Sequence, residues 1–361
     1  MSGIFGILGL QDNDTSYVST IGQRLIFDAV NQYLTMVNED MNTAMSVFVE
    51  GTTTNYKERY KLPGGGRLQQ MGGQAKPGAV KGYGSWDVAY PLKDFGAMLA
   101  EDPVTMAYMT LPELQRHLDT VRIQAINTLR FEMLYALFNS RAGSYTSFVD
   151  PIWGTLQVQA LANGDATVYP PVLGSESEAT ENLYLESGYA ASGISDTNDP
   201  YVTIIDKLEG HFGSQTGGSN IVVFINNAQR ALTEALTAFD GEIDNFVTPG
   251  MATDVPQRLA GVPGRILGRH LHGAWVVEWR WIPSGWALGV HLDAPAPLRR
   301  RIDMPGTNLP SELTLVNNSD LYPISEAIYR WRFGLAVGNR LNGVAFEFGT
   351  GGTYTEPTIY A

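Results

Sequence analysis

Cysteine is absent from this chain of 361 residues, and lysine is scarce, with six in all. The lack of cysteine excludes disulfide bonds, thiol nucleophiles and cysteine metal ligands, so the fold must rest on burial and assembly alone. No apolar run reaches the ~18 residues that a membrane-spanning helix needs, and we therefore expect no membrane partner. With 44% hydrophobic and 17% charged residues, the composition is that of an ordered protein.

The signature motifs of common enzymes are missing as well. The sequence contains no GxxxxGKS or GxxxxGKT phosphate loop, no GxSxG elbow, no HExxH motif and no GxGxxG motif after a strand. Gly82, Gly84 and Asp87 supply only the first half of a dinucleotide pattern, within a loop rather than at a strand-to-helix turn. We therefore predict that the protein is not an enzyme and has no catalytic residue, cofactor or metal.

Two pairs of polar residues could carry chemistry. His270 and His272 lie two residues apart, so on a strand both would face one way and could share a metal, but no third ligand is evident. His291 and Asp293 could act as a base and the acid that orients it, but the sequence places no serine, threonine or water site beside them. We interpret the first pair as ordinary strand-end histidines and assign no catalytic role to the second.

A cluster of tryptophans could form an aromatic platform for a sugar, and its members are Trp275, Trp279, Trp281 and Trp286. A carbohydrate-binding or carbohydrate-active protein is therefore one alternative, although tryptophans at alternate strand positions more often pack in a core or an interface. Asp196, Asn198 and Asp199 resemble part of a calcium loop, but a turn followed by a helix cap accounts for them.

Charge is distributed unevenly along the chain. Residues 51–95 carry seven basic and three acidic residues, a net charge of +4 that leaves −17 for the rest of the −13 chain. Residues 142–206 contain nine carboxylates and no lysine, arginine or histidine. The acidic excess argues against tight nucleic-acid binding. The two stretches are complementary, which favours oriented docking between copies, although both could instead be solvated surfaces.

The residues that we predict to form contacts between subunits follow from this charge pattern. The basic candidates are Lys57, Arg59, Lys61, Arg67, Lys76 and Lys81, and the acidic candidates are Glu176, Glu178, Glu181 and Glu186. The run LRRRID at 298–303 could be a solvated strand face or an interfacial arginine cluster, and it adds Arg299, Arg300 and Arg301.

Glycines divide the basic stretch into strand-like pieces, which suits a twisted hairpin better than a packed core strand. Two legs of ~20 residues at ~3.3 Å per residue would reach roughly 65 Å, further than a compact domain requires. The sequence therefore predicts an extended loop at residues 51–95 that projects from the subunit.

Helical periodicity is strongest after this loop. Thr110 and Glu113 form a predicted capping box, with Pro112 in the tolerated first turn. One apolar stripe then recurs every three or four residues, and we expect it to face a sheet: Leu111, Leu114, Leu118, Val121, Ala125, Leu129, Met133 and Ala136. A broken helical pattern also covers residues 16–47.

The rest of the chain mixes helices and strands without regular βαβ alternation, which indicates an α+β fold. Helices are predicted from Asp199-Pro200 to Phe212 and from Asn226-Asn227 to Phe239. Strands are predicted at 154–161, 166–173, 221–225, 326–337 and 341–348, and in a meander where Trp275, Val277, Trp279 and Trp281 alternate with their neighbours.

The order of these parts resembles the major capsid proteins of tailed bacteriophages, siphophages in particular, which have the Hong Kong 97-type fold. The segments that carry the resemblance are GSWDVAYPLKDFGAMLA, NTLRFEMLYALFN, VDPIWGTLQVQALANGDATVYPPVLGSESEATENLYL, WVVEWRWIPSGWALGVHL and YRWRFGLAVGNRLNGVAFEFG. The resemblance covers nearly the whole chain. It implies an N-terminal arm at 1–50, an extended loop at 51–95, a peripheral domain at 96–195 with a spine helix at 111–138, an axial domain at 196–310, and a return to the peripheral domain with a C-terminal tail at 311–361.

The resemblance implies a shell protein that forms pentamers and hexamers, assembles in the host cytoplasm and becomes the icosahedral capsid of the virion. Its implied partners are further copies of itself, portal and scaffolding proteins, a decoration protein in some members, and double-stranded DNA held without sequence-specific binding. With 50 residues before the loop, we expect a separate scaffolding protein rather than a cleaved segment. Lys76 or Lys81 could crosslink to a neighbour as in some members, which we do not expect here. An encapsulin nanocompartment is the near alternative.

Overall fold

The computed structural model describes residues 3–4, 8–9, 23–62, 68, 70–71, 73, 85–100, 108–141, 145–173, 175, 177–212, 220–241, 262–316 and 326–361. The helices in this part of the chain are α1 (Gln23–Met45), α2 (Leu111–Phe138), α3 (Pro200–Phe212) and α4 (Asn227–Glu234). None of the helices described is long and apolar enough to cross a membrane.

The strands follow in chain order. They are β1 (Gly3–Ile4), β2 (Leu8–Gly9), β3 (Val49–Thr53), β4 (Lys57–Lys61), β5 (Ser85–Ala89), β6 (Lys93–Ala100), β7 (Tyr145–Asp150), β8 (Gly154–Gln159), β9 (Tyr184–Glu186), β10 (Ile221–Ile225), β11 (Phe239–Gly241), β12 (Arg265–His270), β13 (Ala274–Glu278), β14 (Trp286–His291), β15 (Leu298–Arg301), β16 (Thr314–Val316), β17 (Glu326–Val337) and β18 (Val344–Glu347).

The chain divides into two compact units. The first unit contains Met1–Met45, Leu92–Glu132 and Arg301–Gly334, and the second contains Ser46–Pro91, Met133–Arg300 and Leu335–Ala361. The proposed limits of the arm, the extended loop and the peripheral and axial domains remain predictions.

The first unit is built on antiparallel strands, with β17 paired to both β16 and β6. Helix α1 reaches β16, where the buried amide of Asn38 exchanges two hydrogen bonds with the backbone of Leu313 at 3.1 and 3.2 Å. Lys93 on β6 donates to both carboxylate oxygens of Glu132 on α2, at 2.9 and 2.7 Å. Both helices are therefore tied to strands of this unit by polar contacts.

The predicted spine helix is present over Leu111–Phe138. All eight residues of its predicted apolar stripe are buried. At its start, the backbone N–H and the hydroxyl of Thr110 both donate to Glu113 Oε2, at 2.9 and 3.0 Å. Glu113 therefore satisfies the Thr110 N–H as in a capping box. The Thr110 hydroxyl donates to the Glu113 carboxylate.

The second unit contains a seven-stranded sheet with the order β11-β12-β13-β10-β14-β18-β9. Its central strand β10 pairs parallel to β13 and antiparallel to β14, and all five of its residues are buried. Helix α3 crosses β14 at Gly289, where an added Cβ atom would lie 2.3 Å from Ile204 Cγ2. A larger residue at this position would force Ile204 to shift, so glycine allows the close approach of the helix to the sheet.

Three sequence-based assignments need correction. Residues 166–173 form no strand beyond an isolated bridge from Tyr169 to Ala179, because Pro170 and Pro171 supply no N–H groups for a ladder. The second predicted helix ends at Glu234 rather than at Phe239, since Phe239 pairs with β12 at the sheet edge. Strand β13 shows no alternating burial, because Val276 and Val277 point to opposite faces of the sheet and both are fully buried in the core.

Candidate assembly surface at the hairpin base

Strands β4 and β5 form the described base of the predicted extended loop. They pair antiparallel, with Tyr60 opposite Trp86 and Arg59 opposite Asp87. Because side chains alternate along a strand, Glu58, Tyr60, Trp86 and Val88 share one face of this hairpin and Lys57, Arg59, Lys61 and Asp87 share the other. We call these the inner face and the outer face.

The inner face is fixed by aromatic packing. Trp86 stacks on Tyr60 with ring centroids 5.5 Å apart and meets Tyr169 edge-on at 5.1 Å. Its indole N–H donates to the carbonyl of Gly338 at 3.0 Å. Tyr169 is in turn covered by the guanidinium of Arg340 at 5.6 Å. These contacts bind the hairpin base to the core of the second unit, so its orientation is set before any neighbour arrives.

A partly buried carboxylate completes the inner face. Glu58 accepts hydrogen bonds from the Thr53 hydroxyl at 2.5 Å, from Asn55 Nδ2 at 2.9 Å and from Arg299 at 2.6 Å. Burial opposes its ionisation, but these hydrogen bonds and the charge of Arg299 prevail and lower the pKa of Glu58. In the sequence, Glu58 is one of the three acidic residues of the basic stretch, and in the structure it is the acceptor that connects β3, β4 and β15.

Two tyrosine hydroxyls donate to Glu58 and to the neighbouring Glu50. The Tyr60 hydroxyl donates to Glu50 at 3.1 Å, and the Tyr90 hydroxyl donates to Glu58 at 3.4 Å. Burial, followed by the neighbouring carboxylates, raises the pKa of both phenols. Arg299 also lies 3.4 Å from Glu50. Both phenols therefore stay protonated and serve as donors to the carboxylates.

The outer face is charged and open to solvent. Asp87 lies 3.1 Å from Lys57 Nζ and 2.9 Å from Arg59 Nε. Hydrogen bonds from Arg59 and Lys57 lower the pKa of Asp87. Lys61 is exposed on the same face. Two cations share one carboxylate, so the face keeps an excess of positive charge.

The remaining basic candidates divide into two groups. Arg67, Lys76 and Lys81 lie outside the described residues. Arg300 and Arg301 are both buried within the chain, whereas Arg299 is partly exposed and occupied by Glu50 and Glu58. A role for these residues between subunits remains a prediction.

The acidic candidates also differ in their surroundings. Glu176 lies outside the described residues, and Glu178 is exposed. Glu181 is engaged within the chain, 3.2 Å from Lys207 Nζ and 3.3 Å from His211 Nε2. Glu186 accepts a hydrogen bond from the backbone N–H of Gly351. Among the four, Glu178 therefore offers the most accessible carboxylate in the described part of the chain.

A second hairpin lies beside the first. Strands β7 and β8 pair antiparallel from Tyr145 to Gln159, and Trp153 at the turn between them stacks on Tyr56, with ring centroids 4.4 Å apart and an interplanar angle of 16°. The predicted strand at 154–161 contains β8, whereas β7 and the tip between the two strands were not predicted. The available signal was the Asp150-Pro151 turn, with Gly154 three residues further on.

The weaker chemical candidates have structural partners. His270 Nε2 lies 2.9 Å from Asp199, which also caps α3 through the N–H of Tyr201. His291 Nδ1 accepts from the backbone N–H of Asp293 at 3.1 Å. No group of three or more histidine, aspartate or glutamate residues in the described ranges could hold a metal ion.

The Asp196 and Trp279 side chains also have roles in the fold. Ser195 and Asn198 form a bridge across a turn, as the turn interpretation predicts, and Asp196 within this turn accepts from the backbone N–H of Thr237 at 2.8 Å. Trp279 is buried and stacks on Phe48 at 5.8 Å. Trp286 donates to the carbonyl of Thr355 at 3.1 Å. Because Trp279 is inaccessible, the four tryptophans do not form one open platform for a sugar.

Comparison with known proteins gives a match at the level of the fold. No protein-family model matches the chain, and no curated protein matches it. A structure from Mycobacterium phage Patience aligns with a TM-score of 0.65 and 18% identity, over 96% of this chain and 94% of the other. The chain therefore has the same fold, and the predicted α+β fold of the Hong Kong 97 type is confirmed.

Two further structures align less closely. The capsid of Ralstonia phage GP4 gives a TM-score of 0.47 and 12% identity, over 85% of this chain and 86% of the other. A virus-like particle from Pyrococcus furiosus gives a TM-score of 0.39 and 8% identity, over 89% of this chain and 99% of the other. Both scores are too low to support a conclusion about this chain.

Proposed function

We propose that this protein is the major capsid protein of a tailed bacteriophage. The observation that carries the proposal is the alignment with the phage Patience structure over almost the full length of both chains. In this role the protein is structural rather than catalytic. Its copies form pentamers and hexamers, which close into an icosahedral shell that is the capsid of the virion.

The hairpin base supports this function because one of its faces anchors the hairpin to its own subunit and the other is exposed for contact with a neighbouring subunit. The inner face holds the hairpin through Trp86 and Glu58, while the outer face leaves Lys57 and Arg59 at the surface. A loop that grows from a rigid base can reach a neighbouring subunit without a large loss of conformational freedom at its root. Many weak contacts of this kind then close a shell.

The charge of the chain suits a DNA container. A net charge of −13 gives little attraction to phosphates, so packaged double-stranded DNA would be confined rather than gripped and would remain free to leave. Portal and scaffolding proteins are the partners that we propose for assembly, with a decoration protein as an additional partner of the finished shell.

Expression of the chain with its neighbouring genes tests the proposal. Negative-stain microscopy and native mass measurement should find capsomers and closed shells, and the shells should contain DNA. Shells filled with a cargo enzyme instead of DNA would favour an encapsulin. A small oligomer that never forms shells, in the presence of the scaffolding protein, would contradict the capsid function.

A further inference from the structure

The tip of the β7–β8 hairpin is rigid. Asp150 is buried and its Oδ1 atom accepts the backbone N–H groups of Ile152 at 2.9 Å and Trp153 at 3.0 Å. Gly154 closes the turn with φ of +73°, a conformation that favours glycine. The turn is therefore held in one conformation by its own hydrogen bonds, which lowers the entropic cost of binding through it.

This rigid turn presents apolar side chains to solvent. Ile152 is 77% exposed, Val149 is 73% exposed, and Trp153 is 44% exposed although it stacks on Tyr56. We call these four residues the tip patch. Burial inside the chain does not explain the apolar character of Ile152 and Val149, because most of their surface is open. Interfaces concentrate aromatic residues at the centre of binding patches, where truncation costs most.

Two exposed cations follow Tyr56 of the tip patch along the chain. Tyr56 directly precedes Lys57 on β4, and the exposed Arg59 follows on the same hairpin. A partner surface should therefore combine apolar groups with negative charge. The chain itself carries such a surface, because Val168 is 38% exposed and Leu173 is 49% exposed within a stretch that has no basic residue.

Glu178 provides the negative charge of this second surface. It is exposed, and among the described residues it takes part in no salt bridge, in contrast to Glu181, which is paired with Lys207 and His211. We call Val168, Leu173 and Glu178 the acceptor patch. Its apolar and acidic character complements the apolar tip patch together with the cations Lys57 and Arg59 that follow Tyr56 in the chain.

We propose that the tip patch of one copy docks onto the acceptor patch of a second copy. The contact joins two different surfaces, so each subunit can insert its own tip patch into one neighbour and accept the tip patch of another. Contacts of this head-to-tail kind can close a ring of subunits. This inference rests on the proposed capsid function and names a contact within the capsomer. Ile152 and Trp153 lie at its centre, and Lys57 and Glu178 lie at its rim.

Cysteine crosslinking tests the contact directly, because the chain has no native cysteine. Ile152→Cys and Leu173→Cys are made as separate variants with different affinity tags, and shells are assembled from an equal mixture. A short bifunctional thiol reagent should then produce a covalent dimer that carries both tags. Each variant assembled alone is the control and should remain monomeric on a denaturing gel.

The outcomes separate this contact from the capsid function. Shells that form normally but give no dimer with both tags would overturn the docking proposal and leave the capsid function standing. Dimers in the Ile152→Cys control alone would overturn it too, because they indicate a symmetric contact between two tips. Failure of the parent chain to form shells under all conditions would overturn both proposals.

A charge placed in the tip patch gives an independent test. Ile152→Asp should lower the assembled fraction by roughly tenfold or more, as expected for the centre of an interface. Its thermal midpoint should stay near that of the parent because the side chain is exposed. Ile359→Asp, at a residue that is 59% exposed elsewhere in the second unit, is the matched control and should assemble normally. Normal assembly of Ile152→Asp would overturn the proposal.

Discussion

The inner and outer faces of the β4–β5 hairpin are formed by the same ten residues, but the inner face is buried and the outer face is exposed to solvent. On the inner face, Tyr60, Trp86 and Val88 are buried in the core of the second unit. On the outer face, Lys57 and Arg59 remain more than half exposed. Because successive side chains of a strand point to opposite sides, one short hairpin can be both an anchor and a contact surface.

The two faces also contain ion pairs of different kinds. Glu58 and Arg299 meet at 2.6 Å with three further donors around the carboxylate group. Asp87 and Arg59 meet at a similar distance, 2.9 Å, but in solvent. Distance alone therefore does not rank the two pairs, because solvent screens the outer pair and competes for its hydrogen bonds. The following changes should separate the faces.

The largest expected effect comes from Trp86→Ala on the inner face. The substitution removes the Tyr60 and Tyr169 ring contacts and the hydrogen bond to Gly338, so it should lower the free energy of unfolding by about 3–5 kcal/mol. Urea unfolding of the unassembled subunit measures it. Lys61→Ala on the outer face is the control and should leave the unfolding curve nearly unchanged. A loss below ~1 kcal/mol for Trp86→Ala would mean that the hairpin is not anchored through this ring.

The second prediction concerns Glu58→Gln and should show a pH dependence. The variant should lose about 1–3 kcal/mol at neutral pH, because Arg299 and its other donors then face a neutral acceptor. The folded-state pKa of Glu58 lies below its unfolded value of 4.5. Its ionisation therefore stabilises the fold above pH 4.5, and the contribution is lost as the pH falls through the lowered folded-state pKa.

Urea unfolding of the parent and Glu58→Gln between pH 7 and pH 3 measures this contribution. The difference between the two proteins should be largest at neutral pH and should shrink below pH 4.5 as Glu58 takes up its proton. A difference that stays constant over the whole series would show that the charge of Glu58 is not what stabilises the inner face.

The third prediction is that Asp87→Asn on the outer face changes stability less than Glu58→Gln does. Its partners Lys57 and Arg59 are solvated, so they lose little when the carboxylate becomes an amide. The parent and the variant should have nearly equal urea midpoints, and the small difference should shrink further in high salt. A larger effect than that of Glu58→Gln would reverse the ranking of the two faces.

The strand pairing of the hairpin could be predicted from the strand-like pieces that end in Trp86 and Val88, whereas the burial of these side chains in the core could not, because the glycine-rich stretch favoured a hairpin outside the core. The long helix was also predictable, because its apolar stripe repeats over many turns and has an evident start at Thr110. The end of the helix that was expected to reach Phe239 could not be predicted. Phe239 pairs with β12 at the sheet edge, and local periodicity carries no information about such long-range pairing.

The candidate site was harder to predict because its partners are distant in sequence. Glu58 and Arg299 are separated by 241 residues, and nothing in either local sequence indicates that they meet. From the sequence, Arg300 and Arg301 were expected on a solvated or interfacial surface, but both are buried. The tip patch could not be predicted, because the sequence does not distinguish exposed apolar residues from apolar residues of the core. Only the fold reveals which of them reach solvent.

The smallest effect on stability and the most selective effect on assembly should come from reversing charge on the outer face. Lys57→Glu combined with Lys61→Glu should leave the subunit folded, because both side chains are solvated. Assembly should weaken, since each subunit repeats the same loss around the shell. The parent itself should assemble less well as salt rises, because exposed charges are screened beyond ~8–10 Å at physiological ionic strength.

Reversal of Glu178 to Lys in the same chain provides the decisive comparison. If the outer face meets the acidic stretch of a neighbour, this third change should partly restore assembly of the double variant, whereas Asp206→Lys elsewhere in the same acidic stretch should not. Light scattering over a salt series follows the assembly. Equal assembly of the parent and the double variant at every salt concentration would show that the outer face contributes shape but no charge to the contact.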